Sequence, residues 1–257
     1  MPRLPERDLD HVVEHAERAF ASLRGARILV TGGTGFFGRW LVESLLRADE
    51  RLGLDVSLDL LSRDPAGFAR RAPHVAAHPR VHLFAGDVRT FEPRDGTFTH
   101  LIHGATETTG TANAERPLEL IETIVDGTRR ALDVAATRSV GRVLLLSSGA
   151  VYGRQPSALT HVPETYVGGP DILEPLQAYA EGKRTAELIG AIYARDRALQ
   201  IVTARCFAFV GPLLPLDAHF AAGNFIRDAL HEETIRVAGD GTPYRSYLHA
   251  ADLAVWL

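Results

Sequence analysis

Cysteine is almost absent from this 257-residue chain, in which Cys206 is the single thiol. One thiol cannot form a disulfide within the chain and makes a cysteine-based metal site implausible, so we predict no metal site. Long apolar runs are also missing, since no stretch approaches the roughly 20 residues that a membrane helix needs. The N-terminus carries Arg3, Arg7 and Asp8 and lacks the apolar segment of a secretory signal. These absences predict a cytoplasmic protein that is not embedded in a membrane.

A strong excess of charge of one sign is lacking as well. The formal net charge is -4, which argues against a nucleic-acid-binding scaffold. What the chain does have is a hydrophobic fraction of 46%, which is enough for a large core and one or two domains.

The first segment, residues 1–25, contains one amphipathic pattern. Apolar residues recur at helical spacing from Leu9 through Val12 and Val13 to Phe20, and the positions between them are polar or charged. This pattern predicts a helix over residues 6–24 ahead of the main domain. We expect it to cover an edge of the core, with a dimer contact as the alternative.

A glycine-rich turn follows the first predicted strand. Residues 27–30 form a short apolar run, Thr31-Gly-Gly-Thr-Gly-Phe-Phe-Gly38 comes next, and helical spacing begins at Trp40. Strand, glycine turn and helix in this order are typical of dinucleotide binding, because the glycines permit a tight turn and the helix N-terminus offers N–H groups to a pyrophosphate.

The end of the second strand, near residues 56–61, should meet the adenosine ribose. Asp59 or Asp64 there would accept from the ribose 2′-OH and favour NAD, whereas Arg63 would pair with a 2′-phosphate and favour NADP. Because residues 47–55 look like an unusually long link after the preceding helix, the register of this strand is open, and so is the choice of cofactor.

Two further strands are predicted at residues 81–85 and 99–103. The first ends in Gly86-Asp87-Val88, where the carboxylate can reach an adenine amino group. The second ends in Gly104-Ala105-Thr106, whose small residues let the backbone approach a cofactor. Glu107, Thr108 and Thr109 follow at the carboxyl end, where open sheets bind substrates. His103 fits a hydrogen-bonded core histidine better than a catalyst.

A fifth strand over residues 142–148 ends in Ser147-Ser148, and a helix over about residues 177–195 carries Tyr179-Ala-Glu-Gly-Lys183. A tyrosine and a lysine four residues apart share a helix face. A nearby ammonium favours the phenolate, so we expect the pKa of Tyr179 to be lowered and the phenol to exchange a proton with an alcohol. Ser148 would hold the same substrate oxygen. A surface helix pair is the alternative for an isolated match.

The rest of the chain predicts a cleft and a second region. Residues 154–178 are rich in proline and glycine and predict a loop over the cleft. A sixth strand is predicted over residues 200–205. From Val210-Gly-Pro212 onward the pattern changes to loops and short helices, which contain Asn224 and Arg245. Arginine suits bidentate phosphate binding, although a plain surface arginine competes with that interpretation.

Alternating strands and helices predict an α/β protein with a doubly wound parallel sheet, a Rossmann fold. We divide the chain into residues 1–25, a dinucleotide-binding domain over 26–209, and a smaller substrate-binding region over 210–257.

Together these stretches resemble the extended short-chain dehydrogenase/reductase family, which includes the nucleotide-sugar epimerases and dehydratases. The resemblance runs from about residue 26 to the last residue. It rests on the glycine turn, Gly86-Asp87-Val88, Ser147-Ser-Gly-Ala-Val-Tyr-Gly153, Tyr179-x-x-x-Lys183, Val210-Gly-Pro212, Asn224-Phe225 and Arg245-Ser-Tyr-Leu-His-Ala-Ala-Asp252.

The resemblance implies that Tyr179 is the general base, that Lys183 binds the nicotinamide ribose, and that Ser148 is the catalytic hydroxyl. The predicted cofactor-binding residues are Gly32, Gly35, Phe36, Phe37, Gly38, Asp59, Arg63, Asp87, Val88, Ala105 and Lys183. The predicted substrate-binding residues are Thr106, Ser148, Asn224 and Arg245, of which Asn224 and Arg245 match residues that hold the diphosphate. The implied partners are a nucleotide-diphosphate sugar and a second copy of the chain, since relatives often dimerise through the tyrosine-bearing helix.

Several positions depart from the family pattern. Family dehydratases carry an acidic pair just after the catalytic hydroxyl, and a decarboxylase-type glutamate would also lie there, but this chain has Gly149 and Ala150. Ile124 stands where relatives often have asparagine, and Ala208 replaces the asparagine expected before the Gly-Pro turn. Relatives also continue beyond the position of Leu257, so we expect the substrate-binding region to be truncated or naturally short.

The resemblance and its departures predict an enzyme that uses NAD, or alternatively NADP, to oxidise a nucleotide-linked sugar at C4. The missing acids favour a 4-epimerase or a 4-ketoreductase over a 4,6-dehydratase. A non-catalytic NAD(P)-binding sensor is the prediction from a different class, and the intact Ser148, Tyr179 and Lys183 set argues against it.

Overall fold

The computed structural model describes residues 3–107, 110–218, 220–231, 234–237, 239–241 and 245–257. Six strands of this part of the chain form one parallel sheet in the order β3-β2-β1-β4-β5-β6. They are β1 (Arg27–Thr31), β2 (Ser57–Ser62), β3 (Val81–Ala85), β4 (His100–His103), β5 (Arg142–Ser148) and β6 (Gln200–Cys206). This order is that of a doubly wound fold, so the predicted fold class is confirmed.

Helices cover both faces of the sheet. They are α1 (Glu6–His15), α2 (Glu17–Ala21), α3 (Phe36–Leu52), α4 (Pro65–Arg71), α5 (Pro73–Ala76), α6 (Gly110–Glu115), α7 (Pro117–Thr137), α8 (Ala178–Arg197), α9 (Ala221–Leu230) and α10 (Ala250–Trp256). Two short 3₁₀ turns are also present. Gly149–Tyr152 directly follows β5, and Pro175–Gln177 leads directly into α8.

The sheet forms because its central strands are apolar on both faces. Ile28, Leu29 and Val30 of β1 are at most 1% exposed, as expected for a parallel strand between two helical layers. The strand order reverses between β1 and β4, which opens a crevice at their carboxyl ends.

The predicted long link over residues 47–55 is wrong. Helix α3 continues to Leu52 and ends at Gly53, whose left-handed backbone (φ 58°) closes the helix. Only a few residues therefore separate α3 from β2, and the register of β2 is fixed.

The predicted N-terminal helix is interrupted at Ala16, where φ is -118°, and forms α1 and α2 instead. Leu9, Val12, Val13 and Phe20 are buried in the core that α3 and α10 also enter. The prediction that this segment covers an edge of the core is confirmed.

A small parallel pair follows the main sheet, made of β7 (Ala208–Val210) and β8 (Tyr247–His249). The boundary predicted between residues 209 and 210 therefore falls inside β7. Helix α10 packs on α1 and α3, so the last described helix shares a core with the N-terminal segment.

Two features are absent from the residues that the structure describes. No helix there combines the length and apolarity needed to cross a bilayer. No group of three or more His, Cys, Asp or Glu side chains there is arranged to hold a metal ion.

Candidate active site

Two positions of the glycine turn between β1 and α3 accept only glycine. Gly32 has φ 77°, and a Cβ there would lie 2.5 Å from the carbonyl carbon of Gly104. A Cβ on Gly38 would overlap the carbonyl oxygen of Gly32. The turn therefore brings the carboxyl ends of β1 and β4 into direct backbone contact.

The N-terminus of α3 opens onto this turn. Gly35 is the N-cap and supplies no side-chain hydrogen bond to the helix, so the first-turn N–H groups of Phe36 and Phe37 keep their donor capacity. The ring of Phe37 packs edge-on against Phe209 at 4.9 Å and leaves the backbone as the group that faces the crevice. A pyrophosphate fits this cradle because it needs N–H donors, a positive dipole end and no intervening Cβ.

Asp59 does not lie where the sequence placed it. It is the third residue of β2, it is 0% exposed, and its carboxylate is bound by Arg27 (3.2 Å) and Arg94 (2.5 Å). A carboxylate in the middle of a strand and paired with two guanidinium groups cannot reach a ribose at the strand end. The predicted cofactor contact through Asp59 is corrected accordingly.

At the carboxyl end of β2, the turn uses two of the predicted polar side chains and leaves Arg63 outside its hydrogen bonds. Ser62 is buried and accepts from the backbone of Asp64 (3.2 Å), and Asp64 caps α4 by accepting from Gly67 (2.8 Å). Both are thus used by the turn. Arg63 stays exposed and is close enough to Asp87 to contribute to lowering its pKa.

Asp87 lies just beyond β3. Arg89 binds it through the side chain (2.9 and 2.7 Å) and the backbone (2.8 Å), and these bonds lower its pKa to about 2. A carboxylate that is ionised at neutral pH therefore lies at this strand end. The side chain of Val88 is buried against Gly127, which leaves only its backbone for a cofactor.

A buried hydrogen-bond chain joins the ends of β1 and β4 to α7. His103 contacts Thr31 (2.8 Å) and Thr128 (3.2 Å) through its two ring nitrogens, and Thr31 accepts from the backbone of Ala105 (3.3 Å). Burial lowers the pKa of His103 to about 3. His103 is a neutral core histidine, as predicted.

Thr106 and Glu107 continue from β4 toward the crevice. Thr106 is half-buried, and Glu107 pairs with Arg116 (3.1 Å). Thr108 and Thr109, which the sequence also placed here, lie outside the described residues.

Ser148, Tyr179 and Lys183 meet at the carboxyl end of β5, as predicted from the sequence. Ser148 ends β5 and lies close enough to the Tyr179 side chain to favour the ionised phenol. Lys183 is 5% exposed, donates to the carbonyl oxygen of Leu146 (2.8 Å), and lies 6.0 Å from the centre of the Tyr179 ring. The three side chains thus come from one strand end and one helix face.

The expected lowering of the pKa of Tyr179 is wrong for this structure. Burial raises the pKa of the phenol, and Ser148 only partly opposes that effect. Burial also lowers the pKa of Lys183 to about 8. Spacing along the helix indicated the pair correctly, but it carried no information on the burial of Lys183 or the partial burial of Tyr179.

The two substrate-binding residues predicted beyond residue 210 lie on separate elements. In the amide orientation that satisfies its neighbours, with oxygen and nitrogen exchanged, Asn224 on α9 donates to the carbonyl oxygens of Leu216 and Ala218, each at 2.9 Å, and braces the preceding loop. Arg245 is exposed two residues before β8.

Three residues near the centre were missed in the sequence. Asn113 accepts from the backbone N–H of Tyr179 (3.1 Å) and steadies the first turn of α8. Cys206 pairs with Ser148 in the β5–β6 register, and burial raises the pKa of its thiol to about 11. Phe207 is 64% exposed and covers Gly149. Only the register of the folded sheet brings Cys206 and Phe207 to Ser148, so no local pattern could have found them.

A model of the NAD dependent epimerase/dehydratase family matches residues 28–257. The chain belongs to this family. The resemblance drawn from the motifs is thereby confirmed.

Curated relatives of the chain include UDP-glucuronic acid decarboxylase 1 of Arabidopsis thaliana. The two are 33% identical over 229 residues, which is 88% of this chain and 50% of the relative. A second example is UDP-glucuronic acid decarboxylase 3 of the same plant, at 32% identity, where the coverage is 88% and 64%. The chain thus spans between half and two thirds of the length of these relatives.

Solved structures with the same fold include family enzymes of two other kinds. The dTDP-glucose 4,6-dehydratase of Streptomyces venezuelae, solved with NAD bound, superposes with a TM-score of 0.74 at 28% identity over 89% of this chain and 69% of that one. The UDP-N-acetylglucosamine 4-epimerase of Methanobrevibacter ruminantium M1 superposes with a TM-score of 0.76 at 21% identity, covering 90% and 71%. The second likeness supports the fold alone.

Proposed function

We propose that the chain is an NAD-dependent enzyme that oxidises the C4 hydroxyl of a nucleotide-linked sugar, and that its net reaction is 4-epimerisation. The observation that carries this proposal is the meeting of Ser148, Tyr179 and Lys183 at the crevice, beside a glycine turn that fits a pyrophosphate.

The roles of the three residues follow from their positions. Tyr179 takes the proton of the C4 hydroxyl, and Ser148 holds the same oxygen by a hydrogen bond. Bound NAD would supply the hydride acceptor for the C4–H bond and the donor for its return. Because burial raises the pKa of Tyr179, the phenol depends on the Lys183 ammonium and on Ser148 to release its proton. Catalysis then relies on positioning together with this local charge.

The cofactor would be held by the cradle of Gly32, Gly35 and Gly38 and by Asp87. The carboxylate of Asp87 can accept from an adenine amino group. Arg63 is the predicted polar residue at the end of β2 that the turn does not use, and a 2′-substituent of the ribose would come to this strand end. NAD is the cofactor that we propose, since the family and the dehydratase structure point to it. NADP is the alternative that Arg63 would favour.

The two residues after Ser148 favour epimerisation. Gly149 and Ala150 provide no carboxyl group there for eliminating water. A 4-keto sugar formed at this site would rotate within the site and accept hydride on its opposite face.

Thr106, Asn224 and Arg245 are the proposed substrate contacts, with the last two directed to the diphosphate.

A second candidate is decarboxylation of a nucleotide-linked uronic acid. The observation that favours it is the identity of 33% with a UDP-glucuronic acid decarboxylase. Oxidation at C4 of a uronic acid places a ketone two carbons from the carboxylate, and such β-keto acids lose CO₂ without a dedicated acid. The same three residues would serve this reaction.

Products distinguish the candidates. The protein is incubated with UDP-glucose, UDP-N-acetylglucosamine and UDP-glucuronic acid, and the sugars are followed by proton NMR. We expect the 4-epimer of one substrate. A 4-keto-6-deoxy sugar would overturn the proposal in favour of a dehydratase, and release of CO₂ with a pentose product would favour the decarboxylase.

Two controls test the enzyme and its cofactor. Tyr179→Phe is expected to abolish turnover, with a loss of roughly 10³-fold or more, while it retains cofactor binding. Mass spectrometry of freshly purified, denatured protein is expected to detect released NAD(H). An empty site that takes up NADPH from solution would instead indicate a reductase. A parent protein that binds neither cofactor nor any sugar nucleotide would exclude the whole proposal.

A further inference from the structure

We propose that Arg205 is a positioning residue, which acts through Glu187 to hold Tyr179 and Ser148 at their working distance. This inference rests on the proposed function, and it assigns a role to a cluster that does not itself touch the reacting atoms.

Glu187 lies on the catalytic face of α8. It follows Lys183 by four positions and Tyr179 by eight, so the three side chains share one face of the helix. Lys183 contacts the end of β5 through the Leu146 carbonyl oxygen (2.8 Å). One turn further along, Glu187 contacts the same sheet edge. The rotation of α8 about its axis is therefore fixed at two points.

The carboxylate of Glu187 is held by two adjacent strands. Ser147 of β5 donates to Oε1 (2.5 Å). Arg205 of β6 donates from Nε (3.0 and 3.2 Å) and from Nη2 (2.7 Å). Ser147 and Arg205 are partners in the parallel register. This two-pronged contact needs the planar guanidinium, which lysine cannot reproduce.

Arg205 also contacts the 3₁₀ turn after Ser148 and the 154–178 segment. Its Nη1 donates to the Tyr152 hydroxyl (2.8 Å) and to the carbonyl oxygen of Glu164 (3.1 Å). Its guanidinium carbon lies 4.7 Å from the centre of the Tyr152 ring. Tyr152 closes the 3₁₀ turn that begins right after Ser148. One side chain thus ties the turn after Ser148, the 154–178 segment, β6 and α8 together.

The charges of Glu187 and Arg205 also affect the protonation of Lys183. Lys183 faces Cys206 on β6, His103 on β4, and Tyr179 and Glu187 on its own helix. Glu187 favours the charged lysine, against the larger effect of burial. Arg205 neutralises that carboxylate. Removing either partner therefore changes the proton affinity of Lys183, and the two changes have opposite signs.

The test compares Arg205→Gln, Arg205→Lys and Glu187→Gln with Arg195→Gln. Arg195 lies on the same helix, but its side chain is 75% exposed, so it serves as the matched control. We expect kcat of Arg205→Gln to fall roughly 10- to 100-fold, since a small misplacement of reacting groups has an effect of that size. KM should change less than roughly 3-fold because ground-state contacts remain. Arg205→Lys should not restore kcat, and Arg195→Gln should match the parent.

The pH profile separates positioning from general loss of structure. Lys183 must keep its proton, so the alkaline limb of kcat/KM follows its ionisation. This limb should move to higher pH in Arg205→Gln, where Glu187 loses its counter-charge. It should move to lower pH in Glu187→Gln. Shifts in the same direction, or an unchanged limb with only a lower Tm, would overturn the inference. A raised KM at constant kcat would overturn it too, since Arg205 would then bind substrate.

Two further measurements keep the inference testable if a variant folds poorly or the substrate is not found. Ser147→Ala removes one bond to Glu187 and leaves the Arg205 pair, and we expect a smaller fall in kcat, roughly 2- to 5-fold.

Carbon-13 labelling of the six tyrosines, with Tyr179→Phe as the assignment control, reports the Tyr179 environment without substrate. Its signal should move in Arg205→Gln and Glu187→Gln and stay in Arg195→Gln. A parent without turnover but with these NMR shifts would exclude the proposed function and leave the positioning role intact. An unmoved signal would exclude the positioning role.

Discussion

At the scale of single residues, burial decides the chemistry of the candidate site. Tyr179 and Lys183 are spaced as a proton-transfer pair, yet Lys183 is buried and Tyr179 is half-buried, and burial disfavours the charged form of each. The site therefore depends on Ser148 to favour the phenolate and on Glu187 to favour the charged lysine.

Burial of Lys183 leads to a prediction about stability. Its pKa is about 8 in the folded protein and about 10.4 in an unfolded chain. Between these values the unfolded chain binds the proton and the folded protein does not. The free energy of unfolding should therefore gain a positive contribution as pH rises from 8 to 10, of up to about 1.4 kcal/mol per pH unit. This contribution should be missing in Lys183→Met.

Urea denaturation of the parent and of Lys183→Met at pH 7, 8, 9 and 10 checks this difference. Tyr179 and Cys206 also titrate at alkaline pH, but both variants contain them, so their effect largely cancels in the comparison. Equal pH slopes of the free energy of unfolding in the two proteins would contradict a lowered pKa of Lys183 in the folded protein.

Gly149 and Phe207 form a matched pair beside Ser148. A Cβ on Gly149 would lie 2.5 Å from two ring carbons of Phe207. Gly149→Ala must therefore turn the ring away from Tyr152, on which it stacks at 6.1 Å. We expect a loss of about 1 kcal/mol in the free energy of unfolding.

The same substitution in a Phe207→Ala background should have almost no effect, because the obstructing ring is gone. Gly141→Ala is the control, since a Cβ there has only an ordinary contact at 3.4 Å. A loss of the same size in both backgrounds would show that the ring is not the cause.

At the scale of secondary-structure elements, hydrogen bonds between strand ends hold the crevice together. His103 joins β1, β4 and α7 through Thr31 and Thr128. The imidazole is useful there because its two nitrogens bridge two hydroxyl groups in a place that water does not reach.

This bridge leads to a prediction about acid sensitivity. Burial lowers the pKa of His103 from 6.5 to about 3, so the unfolded chain takes up a proton that the folded protein refuses. The stability contributed by the neutral histidine is fully present above pH 6.5 and is lost as pH falls toward 3. The free energy of unfolding should decrease over this interval, and His103→Gln should lose part of that slope.

Chemical denaturation at pH 7, 6, 5 and 4 measures the slope, with the exposed His161 replaced by glutamine as the control. A parent and a His103→Gln variant with identical slopes would rule out His103 as the source.

Helix α1 is held by its apolar face. Val12 is 0% exposed between α3 and α10, so Val12→Ala leaves a cavity. We expect it to lower the free energy of unfolding by about 1–3 kcal/mol. Glu14→Ala, on the exposed face of the same helix, should have little effect in the same urea titration. Because alanine is the best helix former, a loss shared by both variants cannot come from helix propensity and would contradict docking of the apolar face as its source.

At the scale of the whole molecule, the sequence predicted the sheet well. Strands β3 and β5 have the predicted bounds, because short apolar runs bounded by polar residues are what two helical layers bury. The small β7–β8 pair was not predicted, since each strand has three residues and their pairing depends on distant contacts. Assembly as a homodimer stays a prediction, which light scattering of the purified protein can test.

The candidate site was predicted where its residues lie close in sequence. Tyr179 and Lys183 share a helix turn, and the glycine turn is continuous. Asp59 was misplaced because an acid inside an apolar run looked like a strand end, and its arginine partners come from other segments. The Arg205–Glu187 pair was invisible for the same reason, since only the strand register brings Ser147 beside Arg205.

The contact between α1 and α10 also has a consequence in time. His11 and Asp252 meet at 3.0 Å although 241 positions separate them. A ribosome that adds roughly 5–20 residues per second makes these two positions about 10 to 50 s apart. During that interval α10, one of the helices that pack on α1, has not been synthesised. The newborn helix is therefore a segment that a chaperone can bind, and it docks fully only when α10 emerges.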